Sequence, residues 1–155
     1  MVGKSNSSIK IIGMWITTLS NLEAMYPISE LMTKEYYVGA TIITLSMIAS
    51  LLHHISYTSK KLEIKGLYFS KYSEVFLNYD KILAFLVVLY SSYLFSLDPD
   101  ISKLYLPFVG FICLMISSSI LTINRISYRI KLIIFFIFHN AWHIIGFYSV
   151  TQMIP

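Results

Sequence analysis

The sequence predicts an all-α protein, a polytopic transmembrane helix bundle of about five spans. Hydrophobic residues make up 56% of the 155 residues, and the mean hydropathy is +0.68. Charged residues account for only 13% of the chain, whereas they make up about a quarter of a typical soluble domain. The apolar residues are also gathered in long runs, and a helix needs about 20 such residues to cross a bilayer.

Each predicted span corresponds to one apolar run. Taken in order, the runs are 9–32, 36–57, 76–97, 104–123 and 132–153. The first is the most polar, because it contains Asn21, Glu23, Pro27 and Glu30. We interpret it as a first span packed inside the bundle. A cleaved signal peptide is the alternative, since Lys4 and Lys10 precede a short apolar core. Residues 1–155 are predicted to form a single transmembrane domain.

The loop charges predict the orientation of these spans. Ten of the twelve basic residues lie at the N-terminus, around the 58–79 loop or after the fourth span, and only Lys34 and Lys103 lie on the other side. Because positive loops stay in the cytosol, we predict a cytosolic N-terminus and an integral, multi-pass membrane protein. The basic residues are spread along the chain, so we expect no nucleic-acid partner. The single cysteine, Cys113, excludes an intrachain disulfide.

Two histidines one helical turn apart interrupt the most apolar run. The stretch "HNAWH" at 139–143 places His139 and His143 on one face of a helix. Polar groups in a spanning segment are costly and tend to face the interior of a bundle. Because neutral imidazole is a common metal ligand, the pair indicates a metal site. Histidines that merely pack and form hydrogen bonds are the alternative.

A third histidine comes from the end of the second span. In "SLLHH", His54 follows Ser50 by one turn and Ser46 by two, so the three share one helix face. His53 points about 100° away from that face. A catalytic zinc site takes three protein ligands and leaves one position open. We therefore predict His54 as the third ligand, with His53 as the alternative.

An acidic residue lies at a matching depth in the membrane. Asp80 opens the third span from the side of the basic loops. His54 lies about 9 Å before Lys60 along its helix, and His139 lies about 12 Å after Lys131. Three separate helices thus place three histidines and one carboxylate in a single layer near the basic face of the bilayer.

These motifs resemble those of the CREST superfamily of membrane hydrolases, which includes the alkaline ceramidases, the adiponectin receptors, myomaker and the GPI-processing phospholipase. The resemblance rests on Ser50 and His54, on Asp80, and on His139 and His143. The stretches "TLSNL", "LLHHISY", "LNYDKILAF" and "HNAWHI" are similar to stretches of the myomaker branch. The resemblance covers most of the chain and rests on the order of the motifs and on their placement along the helices.

Three features depart from that family. Its members usually have seven core helices, so this chain would be a shortened form that lacks two helices between its fourth and fifth spans. The myomaker branch has its N-terminus outside, whereas the loop charges here place it in the cytosol. His53 also stands before His54 where relatives have an aromatic or apolar residue.

The resemblance implies a zinc-dependent intramembrane hydrolase of lipid amide or ester bonds, similar to a ceramidase or phospholipase, with a zinc-bound water as the nucleophile. It implies that Asp80 is the general base and that Ser50 supports the developing oxyanion. A membrane lipid is then the substrate or ligand, and a homo-oligomer is left open. The alternative is a non-catalytic, myomaker-like membrane protein with a structural zinc site. A transporter subunit with a histidine proton relay is a third interpretation, which leaves Asp80 and Ser50 unexplained.

Overall fold

The computed structural model describes the backbone of residues 2–62 and 70–155 and the side chains of residues 9–56 and 71–155. Within these ranges the chain is helical and contains no β-strand. Its helices are α1 (Val2–Ser20), α2 (Met25–Thr33), α3 (Tyr37–Leu62), α4 (Ser73–Leu97), α5 (Tyr105–Ile120) and α6 (Tyr128–Met153). The predicted all-α class is confirmed.

Four segments are long and apolar enough to cross a membrane: Tyr37–Ser56, Ser73–Leu97, Ile101–Ile120 and Tyr128–Met153. Each matches a predicted run to within about one helical turn. Large apolar side chains cover their outer surfaces, and Val38, Phe85 and Phe108 are 69%, 61% and 63% exposed. Such surfaces are expected of helices that face lipid, because lipid tails are as apolar as the side chains. The chain is therefore a multi-pass membrane protein.

The N-terminal segment lies alongside α6 over most of the length of that helix. The contacts that join the two are Lys10 with Tyr128, Gly13 with Phe136, Ser20 with Asn140, Tyr26 with Tyr148 and Lys34 with Pro155. The residue numbers rise together, so α1 and α2 run parallel to α6. The segment is not a single unbroken helix and is not among the four segments long and apolar enough to cross a membrane. The first span stays a prediction.

A short 3₁₀ turn, Asn21–Ala24, separates α1 from α2. Pro27 has no backbone N–H and cannot bond to the carbonyl of Glu23, which loosens the helix at this point. Side chains satisfy the freed carbonyl groups nearby. The Asn21 amide and the Ser20 hydroxyl both donate to the carbonyl of Thr17, at 3.0 and 2.8 Å.

The chain reverses direction between α2 and α3 through a tight cap. Tyr36 N–H donates to the carbonyl of Leu31 at 2.8 Å, and Glu35 N–H donates to the carbonyl of Met32 at 3.1 Å. This pair of bonds is the Schellman arrangement, which places its penultimate residue in the left-handed region. Glu35 occupies that position with a φ of 64°, where glycine is usual.

The remaining helices pack in two pairs, α3 with α4 and α5 with α6, whereas α4 and α5 hardly touch each other. Glycines let the helices of each pair approach closely: Gly39 lies against Tyr90 of α4, and Gly110 lies against Trp142 of α6. The apolar core occupies the end of the bundle away from the basic loops. Its buried members are Ala24, Leu31, Ala40, Ile43, Met47, Leu94, Phe147, Val150, Met153 and Ile154. Between α4 and α5 a cavity extends along the bundle, from Asp80 near the start of α4 to Phe95 near its end.

Candidate metal centre

His139 and His143 face the interior of the bundle from one side of α6. Their rings lie 4.9 Å apart at 80° to each other, and their Nε2 atoms are separated by 3.3 Å. The two residues are about one helical turn apart, so both side chains leave the helix in nearly the same direction. The predicted pairing of these two histidines in one place is therefore seen in the structure.

Aromatic neighbours hold the two rings in position. The ring of Phe135 stacks on that of His139 at 5.0 Å, and the ring of Phe147 stacks on that of His143 at 6.4 Å. All four residues are spaced by four along α6, so they form one continuous row. Packing of this kind restricts the ring rotamers, which a preformed metal site requires.

His54 of α3 completes a group of three. Its Nε2 atom lies 3.4 Å from Nε2 of His143, and one ring nitrogen of each of the three histidines lies within 4.8 Å of the other two. His53 is not part of this group, although its ring lies 5.1 Å from that of His54. The rotation of α3 thus favours His54 over His53, as the shared face with Ser50 predicted.

The nitrogen spacing fits a tetrahedral metal ion. With metal–nitrogen bonds of about 2.0–2.1 Å, the edge of a regular tetrahedron is about 3.3–3.4 Å. The distances from His143 Nε2 to its two neighbours, 3.3 and 3.4 Å, match that edge. The nitrogens of the third pair, His54 and His139, lie within 4.8 Å of each other.

Hydrogen bonding alone does not satisfy this arrangement. The Nε2 atom of a neutral imidazole either carries one proton or offers one lone pair. His143 Nε2 faces two other Nε2 atoms, at 3.3 and 3.4 Å, and can form a good hydrogen bond with only one of them. A cation that accepts a lone pair from each ring satisfies all three nitrogens together. The donor set therefore fits a metal ion better than it fits a packing cluster.

Ser50 and Asp80 lie beside the histidines. Ser50 is one turn before His54 on α3 and is only 2% exposed. Both Ser50 and Asp80 of α4 line the same cavity as the three histidines, and the buried Ser50 hydroxyl has no hydrogen-bond partner among the described residues. Asp80 does not belong to the group of closely spaced metal-ligating atoms.

The cavity that holds these residues has a volume of about 590 Å³. It runs between α4 and α5, where the two helices do not pack, so its open side faces the region of the lipid. Its histidine end is polar, and apolar side chains line most of the remainder; they include Val87, Val88, Phe95, Phe111 and Leu114.

Sequence reasoning missed two parts of this site. It treated Lys81 only as a topology signal, yet Lys81 lines the cavity next to Asp80. Its position directly after the predicted base was the available signal. The stacking of Phe135 and Phe147 on the histidines was also missed, although their spacing of four residues from each ligand could have indicated it.

No family model, curated protein or solved structure matches this chain. The resemblance to the CREST superfamily therefore stays a prediction that rests on the motifs. What the structure itself establishes is a cluster of three histidines with the capacity to bind a metal ion.

Proposed function

We propose that this protein is a zinc-dependent intramembrane hydrolase that cleaves an amide or ester bond of a membrane lipid. One observation carries the proposal: three closely spaced histidine nitrogens share a largely apolar cavity with a buried serine and a carboxylate that lies outside their group. Three ligands rather than four are typical of a catalytic zinc site, because the fourth position stays open to water or substrate.

Zinc is the metal that the donor set favours. Imidazole nitrogens in a tetrahedral arrangement suit Zn²⁺, which has no redox chemistry and no geometric preference of its own. Such an ion is a Lewis acid that makes water nucleophilic at neutral pH and polarises a carbonyl group.

Asp80 and Ser50 supply the remaining chemistry. Hydrolysis adds water across the scissile bond, with the hydroxyl going to the acyl carbon and a proton to the leaving nitrogen or oxygen. Asp80 takes the proton from the attacking water and returns it to the leaving group. Ser50 donates a hydrogen bond to the oxygen on which negative charge develops. Their shared place in the lining of the cavity supports this division of roles.

The shape of the cavity supports a lipid substrate. A lipid can enter sideways between α4 and α5 without leaving the bilayer, and its acyl chain then lies along the apolar lining. The bond between the headgroup and the acyl chain lies at the border of the hydrocarbon. The histidine layer, near the basic ends of α3 and α4, lies at about that depth.

The direct test combines two measurements on one preparation. Protein purified without added chelator should contain one zinc per chain by elemental analysis. The same preparation should release fatty acid from at least one member of a panel of ceramides, glycerophospholipids and GPI-type lipids. Stoichiometric zinc with no hydrolysis across the panel would instead support the non-catalytic protein with a structural zinc site.

A further inference from the structure

Among the described residues that line the cavity, Lys81 is the only lysine or arginine and Asp80 is the only residue with a carboxyl side chain. Among the described side chains, an ion pair is recorded between Lys103 and Asp98. It lies at the opposite end of α4 from Lys81. Lys81 forms no ion pair with a described residue. Although it follows Asp80 directly, the two side chains leave the helix about 100° apart. Lys81 is thus a cation without an ion pair to a described side chain, although the carboxyl of Asp80 attracts it electrostatically.

The depth of Lys81 in the bilayer matches that of a lipid headgroup. The span Ser73–Leu97 is about 38 Å long as a helix and exceeds a hydrocarbon layer of about 30 Å by about 8 Å. Lys81 lies about 12 Å from its basic end, and therefore within about one helical turn of the border of the hydrocarbon. Its flexible side chain can extend its ammonium group towards the headgroups while the stem stays in contact with apolar surface.

We propose that Lys81 binds the phosphate of a lipid headgroup and so selects phosphate-bearing acyl lipids for this cavity. Three observations combine in this assignment: its place in the cavity lining, the absence of an ion pair between Lys81 and a described side chain, and its position near headgroup depth beside the histidine cluster. The inference rests on the proposed function in so far as the cavity is the lipid site, and it adds the substrate class.

The chemistry distinguishes Lys81 from a lysine that only anchors the helix. An ammonium group forms short, charge-assisted hydrogen bonds to phosphate oxygens. A lipid with its acyl chain along the apolar lining and its carbonyl at the histidines would bring its phosphate to this end of the cavity. A neutral lipid such as a diacylglycerol has the same acyl chains but offers Lys81 no counter-ion.

The experiment measures lipid retention rather than turnover. Purified wild-type protein in detergent is offered an equimolar mixture of dialkyl-ether phosphatidic acid and dialkyl-ether glycerol of equal chain length, and bound lipid is counted by native mass spectrometry. Neither ether lipid contains a carboxylic amide or ester bond, so binding is read independently of the proposed hydrolysis. We expect wild type to retain the phosphate-bearing lipid at least about tenfold better, a ratio typical of a hydrogen bond to a charged group.

Lys81→Ala should reduce that preference to near one, and Lys81→Arg should keep most of it, because the charge remains. Lys103→Ala is the matched control, since Lys103 is a lysine outside the cavity and should leave the preference unchanged. A further control adds excess inorganic phosphate to the lipid-bound protein, to distinguish binding of a lipid headgroup from binding of a free anion. A lipid held by both its acyl chain and its phosphate should not be displaced by inorganic phosphate.

Equal retention of both lipids by wild type, or an undiminished preference in folded Lys81→Ala, would overturn the assignment. So would loss of the preference on addition of inorganic phosphate alone. If the preference for the phosphate-bearing lipid depends on Lys81 but the protein hydrolyses no lipid, this inference stands and the proposed catalysis is rejected.

Discussion

The Nε2 atom of His54 on α3 lies 3.4 Å from Nε2 of His143 on α6, across 89 residues of sequence. This contact, rather than the local pair on α6, makes the cluster a site of three ligands, and it joins two helices that belong to different packed pairs. A metal at this point would therefore connect the two halves of the bundle. The first prediction follows from it.

Replacement of a ligand should remove the metal, and replacement of its neighbour should not. His54→Ala and His143→Ala should each lower zinc affinity at least about 100-fold, because even the outer-shell partners of metal ligands are worth 10–100-fold. His53→Ala is the matched control. It removes an adjacent imidazole that lies outside the group of closely spaced nitrogens, and it should keep one zinc per chain. Zinc content by elemental analysis of folded protein is the measurement. Loss of zinc in His53→Ala with retention in His54→Ala would mean that α3 is rotated from the arrangement described above.

Asp80→Asn should separate metal binding from catalysis. The amide is close in size to the carboxylate but is a very poor base, so lipid hydrolysis should fall by about 10²–10⁴-fold, as is typical for loss of a general base. Zinc content should stay at one per chain, because Asp80 is not in the ligand group. If zinc is lost together with stability, Asp80 is instead a fourth ligand and the site is structural.

The close approach of α1 to α6 should not tolerate a larger residue than glycine. A Cβ atom at Gly13 would lie 2.3 Å from the ring of Phe136, whereas one at Gly146 would lie 3.8 Å from Trp142, an ordinary contact. Gly13→Ala should therefore destabilise the protein by about 1–3 kcal/mol, the usual cost of overpacking. Gly146→Ala should be close to neutral. Thermal unfolding in a single detergent compares the two, and equal midpoints would contradict the described packing of α1.

Glu35→Gly should stabilise the turn between α2 and α3. Glu35 has a φ of 64°, and a side chain in the left-handed region costs about 1–2 kcal/mol. Glycine removes that strain but adds freedom to the unfolded chain, so a net gain of about 0.5–1 kcal/mol is expected. Glu30→Gly, inside α2, is the control and should cost about 1 kcal/mol. Both changes remove one negative charge, so a higher unfolding temperature for the first variant alone would identify the backbone as the cause.

The parallel course of the N-terminal segment and α6 predicts their relative topology. The N-terminus and the loop before α6 should lie on the same side of the membrane, and the positive loops predict that this side is the cytosol. The C-terminus should lie on the other side. Accessibility of tags at the two termini and in the 121–127 loop tests this in sealed vesicles. Both termini on one side would show that the segment does not cross beside α6.

The helical class, the four long apolar spans and the pairing of His139 with His143 could all be predicted from the sequence. These features are local, because span length, the 3.6-residue repeat and the cost of polar groups in hydrocarbon act within single segments. Helix periodicity also placed Ser50 and His54 on a common face. The distance of Asp80 to the flanking charges predicted that it lies in one layer with the histidines, and the structure places it in the lining of the same cavity.

The rotation of each helix about its axis, and the choice of helices that pack together, were seen only in the tertiary structure. The shared face with Ser50 had favoured His54 without excluding His53, and the rotation of α3 against α6 brings His54 to the pair. The opening between α4 and α5, and with it the place of Lys81 in the cavity, depends on how the two helix pairs pack. Such packing is set by contacts between residues far apart in sequence, as Gly13 with Phe136 illustrates, and no pattern within one segment specifies it.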